Sequence, residues 1–560
     1  MITRWVYRTV DARLGTTSVA RTALAKVFPD QWTFMFGEIA LYSFLALVLT
    51  GVYLTLFFDP TSAQTVYDGA YQPLSGSTVS GAYASAVALS YDVRAGLLIR
   101  QAHHWAALLF VGAIVLHLLR IFVTGAFRKP REINWVIGVT MLTLALLNGF
   151  TGYSMPDDLL SGTGLRIIYS VVLSVPVVGA WLAQLAFGGE FPSDATLPRL
   201  FVTHVLIVPA VFAALISAHL AIIIRQKHTQ FPGPGRRERN VVGSRLWPAY
   251  TVRTLSLAAG VFAVVFALGG LVQINPVWIY GPFSPAKATS PAQPDWYVAW
   301  GDGALRLFPA VEFHVFGHLV PSPFLPAVGV GTVTFLVLYA WPWLDRWRTG
   351  DRASRHLLQP PRQRPGRIAV AAWAVTFFAV LLVAAVDDII ARLFAIPVTG
   401  ILRTLQVLVL TLPFVVAAVA YTVARALRGG TARSVGELTA EELRGGLTAS
   451  PGPVELGDDD PVALDQLITL WRNPDDTWRW RWTGPDDEKL ASNEAYLSRD
   501  EAVAAASVAF VGVPIDQTEP PPDVVLPPPT GHGRAARVAA GAAWVAMAIV
   551  AWRRSRKDRP

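Results

Sequence analysis

The sequence predicts an all-α polytopic membrane protein, with about eight transmembrane helices, the first four of them forming a four-helix bundle, and a cytoplasmic C-terminal extension. Three observations predict it. Hydrophobic residues make up 53% of the 560 and charged residues only 15%, a balance that suits a lipid-embedded chain better than a soluble one. Apolar segments long enough to cross a bilayer recur at about 34–58, 100–124, 135–155, 201–225, 251–275, 324–344, 367–386 and 401–425. Two of these segments carry histidines in pairs of nearly equal span.

Those pairs organise the rest. His103 and His117 are fourteen residues apart in the second segment, close to four helical turns, so both imidazoles face one way about 21 Å apart along the axis. His204 and His219 repeat the pattern in the fourth segment with a gap of fifteen. A lone histidine on an apolar helix is usually a satisfied core residue. Four ionisable residues in two matched pairs inside a bilayer are costly and point to function. A zinc or copper site needs its ligands converging at one point, and each helix holds its two histidines too far apart for that. Bis-imidazole ligation of two haems fits, with His103/His204 at one end and His117/His219 at the other. The predicted fold is thus a dihaem four-helix bundle continued by four further spans.

The chain has no cysteine, which excludes disulfides, iron–sulfur ligation and thioether-linked haem, so any haem is held non-covalently as a b type. The formal charge of +8 does not signal nucleic acid, because the basic residues follow loop parity. Arg4, Arg8, Arg13, Arg21 and Lys26 precede the first span, and Arg128, Lys129 and Arg131 follow the second. The loops after the fourth and sixth spans are basic as well, whereas 59–99, 156–200, 276–323 and 387–400 are poor in Lys and Arg. The positive-inside rule then places the N-terminus and residue 426 in the cytoplasm, with His103 and His204 near the outer face and His117 and His219 near the inner one. Residues 1–33 lack a continuous apolar core and do not read as a cleavable signal.

In the first and third segments, Gly37/Gly51 and Gly138/Gly152 repeat the fourteen-residue spacing. Glycine there marks either close helix approach or room for a flat porphyrin at the two haem depths, and the matched spacing favours the second. Arg100 and Arg120 lie three residues outside His103 and His117, where guanidinium groups pair with propionates. Domain boundaries follow: a cytoplasmic segment 1–33, a haem-binding region 34–230, a second membrane region 251–425, and an extension 426–560. The extension is rich in Pro, Gly, Asp and Glu and reads as partly disordered. It contains the Trp/Arg cluster 476–484, a candidate for docking onto a complex or membrane surface, and an Ala/Val-rich run 535–552 that reads as an interfacial or packing helix.

With these residues assembled, the chain from about 30 to 425 resembles cytochrome b of the bc1/b6f superfamily. The resemblance rests on the glycine pairs, the R-x-x-H and H-x-x-R arrangement, VTGAFRKPREINWVIG (123–138), TGYSMP (151–156) and GGLVQINPVW (269–278), and on Pro294-Asp295-Trp296-Tyr297, which is similar to the PEWY quinol-site motif. PDWY and TGDRASRHLLQPP (349–361) look most like the actinobacterial form. The resemblance implies a quinol:cytochrome c oxidoreductase working by bifurcated electron transfer, to a Rieske partner on one branch and through two haems to an inner quinone site on the other, with proton translocation. It implies Asp295 as proton acceptor, Tyr297 as its hydrogen-bonding neighbour, and a role for Trp296 in the quinol loop. By position, Asp302 and His318 are further candidates in the same outer region, and Arg225, Lys227 and His228 are candidates at the inner site. It also implies menaquinone, a dihaem cytochrome c subunit, a terminal-oxidase supercomplex, a homodimeric complex and a bacterial plasma-membrane location. Where the family reads PWGQ or PWDQ, this chain has Pro156-Asp157-Asp158, so no role carries over there. The competing expectations are a dihaem b-type quinone-reactive anchor of another respiratory oxidoreductase, and a transporter with proton-relay histidines.

Overall fold

The structure is a computed structural model describing residues 12–13, 24–233, 236–287, 293–429, 467–472, 477–483, 489–491, 496, 498–509 and 515–516. Among these residues, eight helices are long and apolar enough to cross a membrane: Trp32–Thr55, Gly96–Thr124, Glu132–Tyr153, Thr196–Gln226, Leu246–Leu271, Phe324–Thr349, Pro365–Ala384 and Val398–Arg428. They coincide with the eight predicted segments to within a few residues.

The first two spans pack along each other, the fourth lies against the third, and the fifth covers the first two. Small residues allow this closeness. Ala46, Ala102 and Ala106 are fully buried where the first, second and fifth spans meet. At the centre of the bundle Phe44, Phe110 and Phe212 form a triangle with ring centres 5.6–5.8 Å apart. Each phenylalanine lies seven or eight residues from the glycine or histidine on either side of it along its helix, so the aromatic plug separates the two histidine levels. The seventh and eighth spans pair with each other and hold the helix Trp296–Leu307 that carries the PDWY tyrosine.

The fourth span contains a widened π-type turn over Thr203–Ile207. Such a turn inserts one residue without adding a full residue's advance. That is why fifteen residues between His204 and His219 span the same four turns as fourteen between His103 and His117.

Connecting segments add short helices at Gly81–Tyr91, Leu159–Leu173 and Gly179–Phe187 and hairpins at 64–66/78–80 and 313–315/318–320. A second compact unit is described only in part. Its strands run in the order 515–516, 467–472, 478–483, 489–491, with helix Arg499–Ala509. The Trp/Arg cluster is a strand here. Its period of two brings Trp478, Trp480 and Trp482 to a core containing Ile468, Leu470, Ala502 and Ala506, so these tryptophans have an internal packing role. Residues 1–11, 535–552 and most of the acidic, proline-rich stretch lie outside the described residues.

Candidate functional site

The second and fourth spans bring the histidines together as two pairs. Ring centres of His103 and His204 lie 6.1 Å apart, and those of His117 and His219 lie 6.5 Å apart. Two imidazoles on opposite sides of one iron, each bonded at about 2 Å, have centres about 6 Å apart. The hydrogen bonds that orient the first pair are made through Nδ1. His103 Nδ1 lies 2.9 Å from Thr50 Oγ1, and His204 Nδ1 donates to the Asn148 carbonyl at 2.8 Å. That leaves Nε2 of each ring as the atom that could ligate an iron.

Glycine makes the approach possible. A Cβ on Gly152 would stand 2.3 Å from Cε1 of His204, one on Gly37 3.0 Å from Cε1 of His117, and one on Gly51 3.3 Å from Cε1 of His103. Three of the four glycines therefore clear space for an imidazole. Gly138 alone has nothing within 4 Å of its would-be Cβ, which suits the porphyrin reading at that position.

Both flanking arginines keep unpartnered donors in buried positions. Arg100 gives Nη2 to the Asn275 carbonyl at 3.2 Å but leaves Nε unsatisfied, and Arg120 leaves Nε and Nη2 unsatisfied while stacking 4.1 Å over Phe34. Buried guanidinium groups with unused donors are costly unless an acidic group completes them. The residues present fit two haems with propionates at opposite ends of the bundle.

His103 and His204 themselves line a cavity of about 290 Å³, together with Gly51, Arg100, Gly152, Asp158, Asp295 and Tyr297 among others. Asp295 stands at the N-cap position of helix Trp296–Leu307, where its side chain makes no capping bond and is instead held from three sides. Tyr297 donates its hydroxyl to Oδ2 at 3.0 Å, the Asn275 amide reaches Oδ1 at 3.5 Å, and His104 Nε2 sits 2.9 and 2.8 Å from the two oxygens. Burial, with Asp295 beside it, pushes the Tyr297 phenol well above its ordinary range, so it stays a donor. The arrangement can accept a proton at Asp295 next to the histidine pair. Sequence reading missed His104, because it stands beside His103 on a different face of the helix and its partner is 191 residues away.

Other candidates fall elsewhere. Asp302 does not share the cavity lining with Asp295. It pairs with Arg306 at 3.0 Å, in a cluster with Asp387 and Asp388, because the i,i+4 spacing on the helix favours that bond over one reaching the cavity. Burial raises its carboxyl while Arg306 pulls it down. Trp296 packs edge-on against Tyr297 at 6.1 Å and is partly exposed. His318 is exposed on the 313–320 hairpin, outside the cavity lining.

At the other end, Arg225 and Lys227 are exposed or partly so, and Lys227 Nζ donates to the Arg239 carbonyl at 3.1 Å. His228 is set against Phe28 at 4.7 Å, and Phe28 stacks on Tyr250 at 4.2 Å. Burial, reinforced by Lys26 and Arg131, lowers His228 to about 4.

Residues 108–282 match the family model described as Cytochrome b(N-terminal)/b6/petB. The cytochrome bc1 complex cytochrome b subunit of Mycobacterium leprae is 48% identical over 413 residues, covering 74% of this chain and 75% of that protein. The one from Streptomyces coelicolor is 44% identical over 393 residues, covering 70% and 72%. Among solved structures, a chain of a hyperthermophilic respiratory Complex III superposes with a TM-score of 0.55 at 20% identity, covering 75% of this chain and 99% of that one, which shows a shared fold. The paired histidines, the PDWY loop and these likenesses agree: the chain belongs to the family of cytochrome b subunits of the cytochrome bc1 complex.

Proposed function

We propose that this chain oxidises quinol at the Asp295–Tyr297 end of the cavity that His103 and His204 also line, delivers one electron to a Rieske iron–sulfur partner, and carries the other inward to reduce quinone near the opposite face. The observation that carries the reading is the pair of histidine couples, at 6.1 and 6.5 Å, set at two levels of one bundle. Family membership makes the chain a multi-pass membrane subunit of a respiratory oxidoreductase, with b-type haem as its cofactor and other subunits as its setting. His103 and His204 would hold the outer haem, His117 and His219 the inner one, and Arg100 and Arg120 their propionates. Bound haem supplies one-electron carriers at two depths of the membrane.

The chain's own residues do the rest. Asp295 accepts a quinol hydroxyl proton, and His104 and Tyr297 hold its carboxylate in place. Arg225, Lys227 and His228 lie at the inner end, where quinone reduction takes up protons. The quinol–cytochrome c reductase activity, menaquinone as the quinone, a dihaem cytochrome c subunit, a terminal-oxidase supercomplex, a dimeric complex and a bacterial plasma membrane with the N-terminus inside complete the proposal. The cavity bearing Asp295 and Tyr297 favours it over a quinone-reactive anchor with a single quinone site.

The test is quinol-driven cytochrome c reduction by the purified complex carrying Asp295→Asn. A loss on the order of a hundredfold with full haem content supports the assignment. An unchanged rate sinks it.

A further inference from the structure

Glu38 is the only charged residue of the span Trp32–Thr55, and it stands half-buried in the first turn of helix Met35–Thr55. A carboxylate at a helix start commonly answers the macrodipole. This one reaches away from its own helix. Among the described residues its side-chain partners are hydroxyls of the fifth span: Tyr250 donates to Oε1 at 2.6 Å and Thr254 donates to Oε2. With the Thr254 hydrogen on Glu38, the Tyr42 hydroxyl donates to Thr254 in turn. This set holds no cation, and an ionisable group in a spanning segment without one is costly enough to call for a use.

The network lies at the inner level of the bundle. A Cβ on Gly37, the residue before Glu38, would meet the ring of His117, one of the inner pair. Tyr250 stacks on Phe28 at 4.2 Å, and the other neighbour of Phe28 is His228 at 4.7 Å. Two aromatic rings thus tie Glu38 to the inner-site candidate at the exit of the fourth span. The titratable groups of the surrounding elements are otherwise engaged. Arg120 of the second span lies over Phe34, Arg253 of the fifth pairs with Asp30, and Lys26 donates to the Ile224 carbonyl. His117 faces His219, and Tyr42 and Tyr250 are the phenols that face Glu38.

Quinone takes up two protons with its two electrons when it is reduced. We propose that Glu38 is a proton donor to the quinone at the inner site, reprotonated from the inner aqueous phase. The step balances: an O–H bond forms at a quinone oxygen as the Glu38 O–H bond breaks, the electrons come by way of the inner haem, and a proton from the inner phase restores the acid. The Tyr250 and Thr254 hydroxyls receive the carboxylate left behind. The inference rests on the quinone-reducing half of the reading above.

The experiment follows reoxidation of the inner haem by dimethylnaphthoquinone after rapid mixing, in the intact complex with its b haems reduced beforehand. It runs from about pH 6 to 9 in the parent, Glu38→Gln and Glu38→Asp. Gln keeps the size and an acceptor for the hydroxyls but has no proton to give. The expected result is a slowing on the order of a hundredfold in E38Q with its pH dependence flattened, and recovery of most of the rate in E38D. The first reduction of the b haems by quinol should stay parent-like in both. Parent-like reoxidation in E38Q overturns the proposal. So does an equal slowing in E38Q and E38D with the parent's pH profile, or loss of the inner haem from both, since either makes Glu38 a tie between spans and nothing more. An infrared difference spectrum of quinone reduction in the parent and E38D gives a second readout that needs no E38Q. A carboxyl band that moves between the two is expected, and its absence overturns the proposal. If quinone fails to reoxidise the inner haem of the parent at every pH, the quinone-reducing reading itself falls.

Discussion

His104 Nε2 lies 2.8 Å from Asp295 Oδ2, joining the second spanning helix to the PDWY loop across 191 residues of sequence. Asp295 has a shorter side chain than the glutamate usual in this motif, and the neighbouring histidine reaches it directly. Replacing His104 with Ala leaves Asp295 with Tyr297 and Asn275 alone. We expect quinol oxidation to fall by roughly tenfold while haem content and the histidine-pair spectrum stay as in the parent. Loss of haem instead would show that His104 supports ligation and not the carboxylate.

Gly152→Ala places a methyl 2.3 Å from Cε1 of His204, a distance that forces either the ring or the third span to move. The outer haem should be lost or show an altered optical band, with the inner haem retained, in a reduced-minus-oxidised spectrum. Equal loss of both haems would mean the bundle as a whole had failed.

Arg120 is buried with two guanidinium nitrogens unpartnered. With a propionate as the missing partner, Arg120→Met should weaken retention of the inner haem and leave the outer one in place, read by haem quantification after detergent extraction. Full retention of the inner haem would leave those donors without a role in binding it.

His228 titrates at about 4 in the fold and at about 6.5 in an unfolded chain. The unfolded state therefore binds more protons between those values, and stability from this group is present above about pH 6.5 and lost as pH falls towards 4. Comparing thermal unfolding at about pH 7 and 4.5, the parent should lose more stability than His228→Gln. An identical acid loss in both would remove His228 from the cause.

Much of this was legible in sequence because the bilayer imposes long apolar runs. The segment predicted at 201–225 appears as Thr196–Gln226, and the histidine pairs were visible through helical spacing alone. The extra residue in the fourth span was visible too, but its cause, the widened turn at Thr203–Ile207, needed coordinates. What stayed hidden depends on contacts distant in sequence. Asp302 pairs with Arg306 at i,i+4 within its own helix, but the Asp387 and Asp388 that complete the cluster lie far along the chain. In the extension, WRWRW already carries the alternation of a strand, yet the acidic and proline-rich surroundings dominated the compositional reading. The glycines show both sides: their spacing matched the histidines, but three of them accommodate imidazole rings, which spacing cannot distinguish from porphyrin.

The measurement that bears most directly on the two-haem assignment is a dithionite-reduced minus oxidised spectrum with haem quantification on the purified chain, alongside His204→Ala and His219→Ala. Two b-type haems per chain, with the outer lost in the first variant and the inner in the second, is the predicted result. A colourless protein, or one whose haem survives both changes, would contradict it.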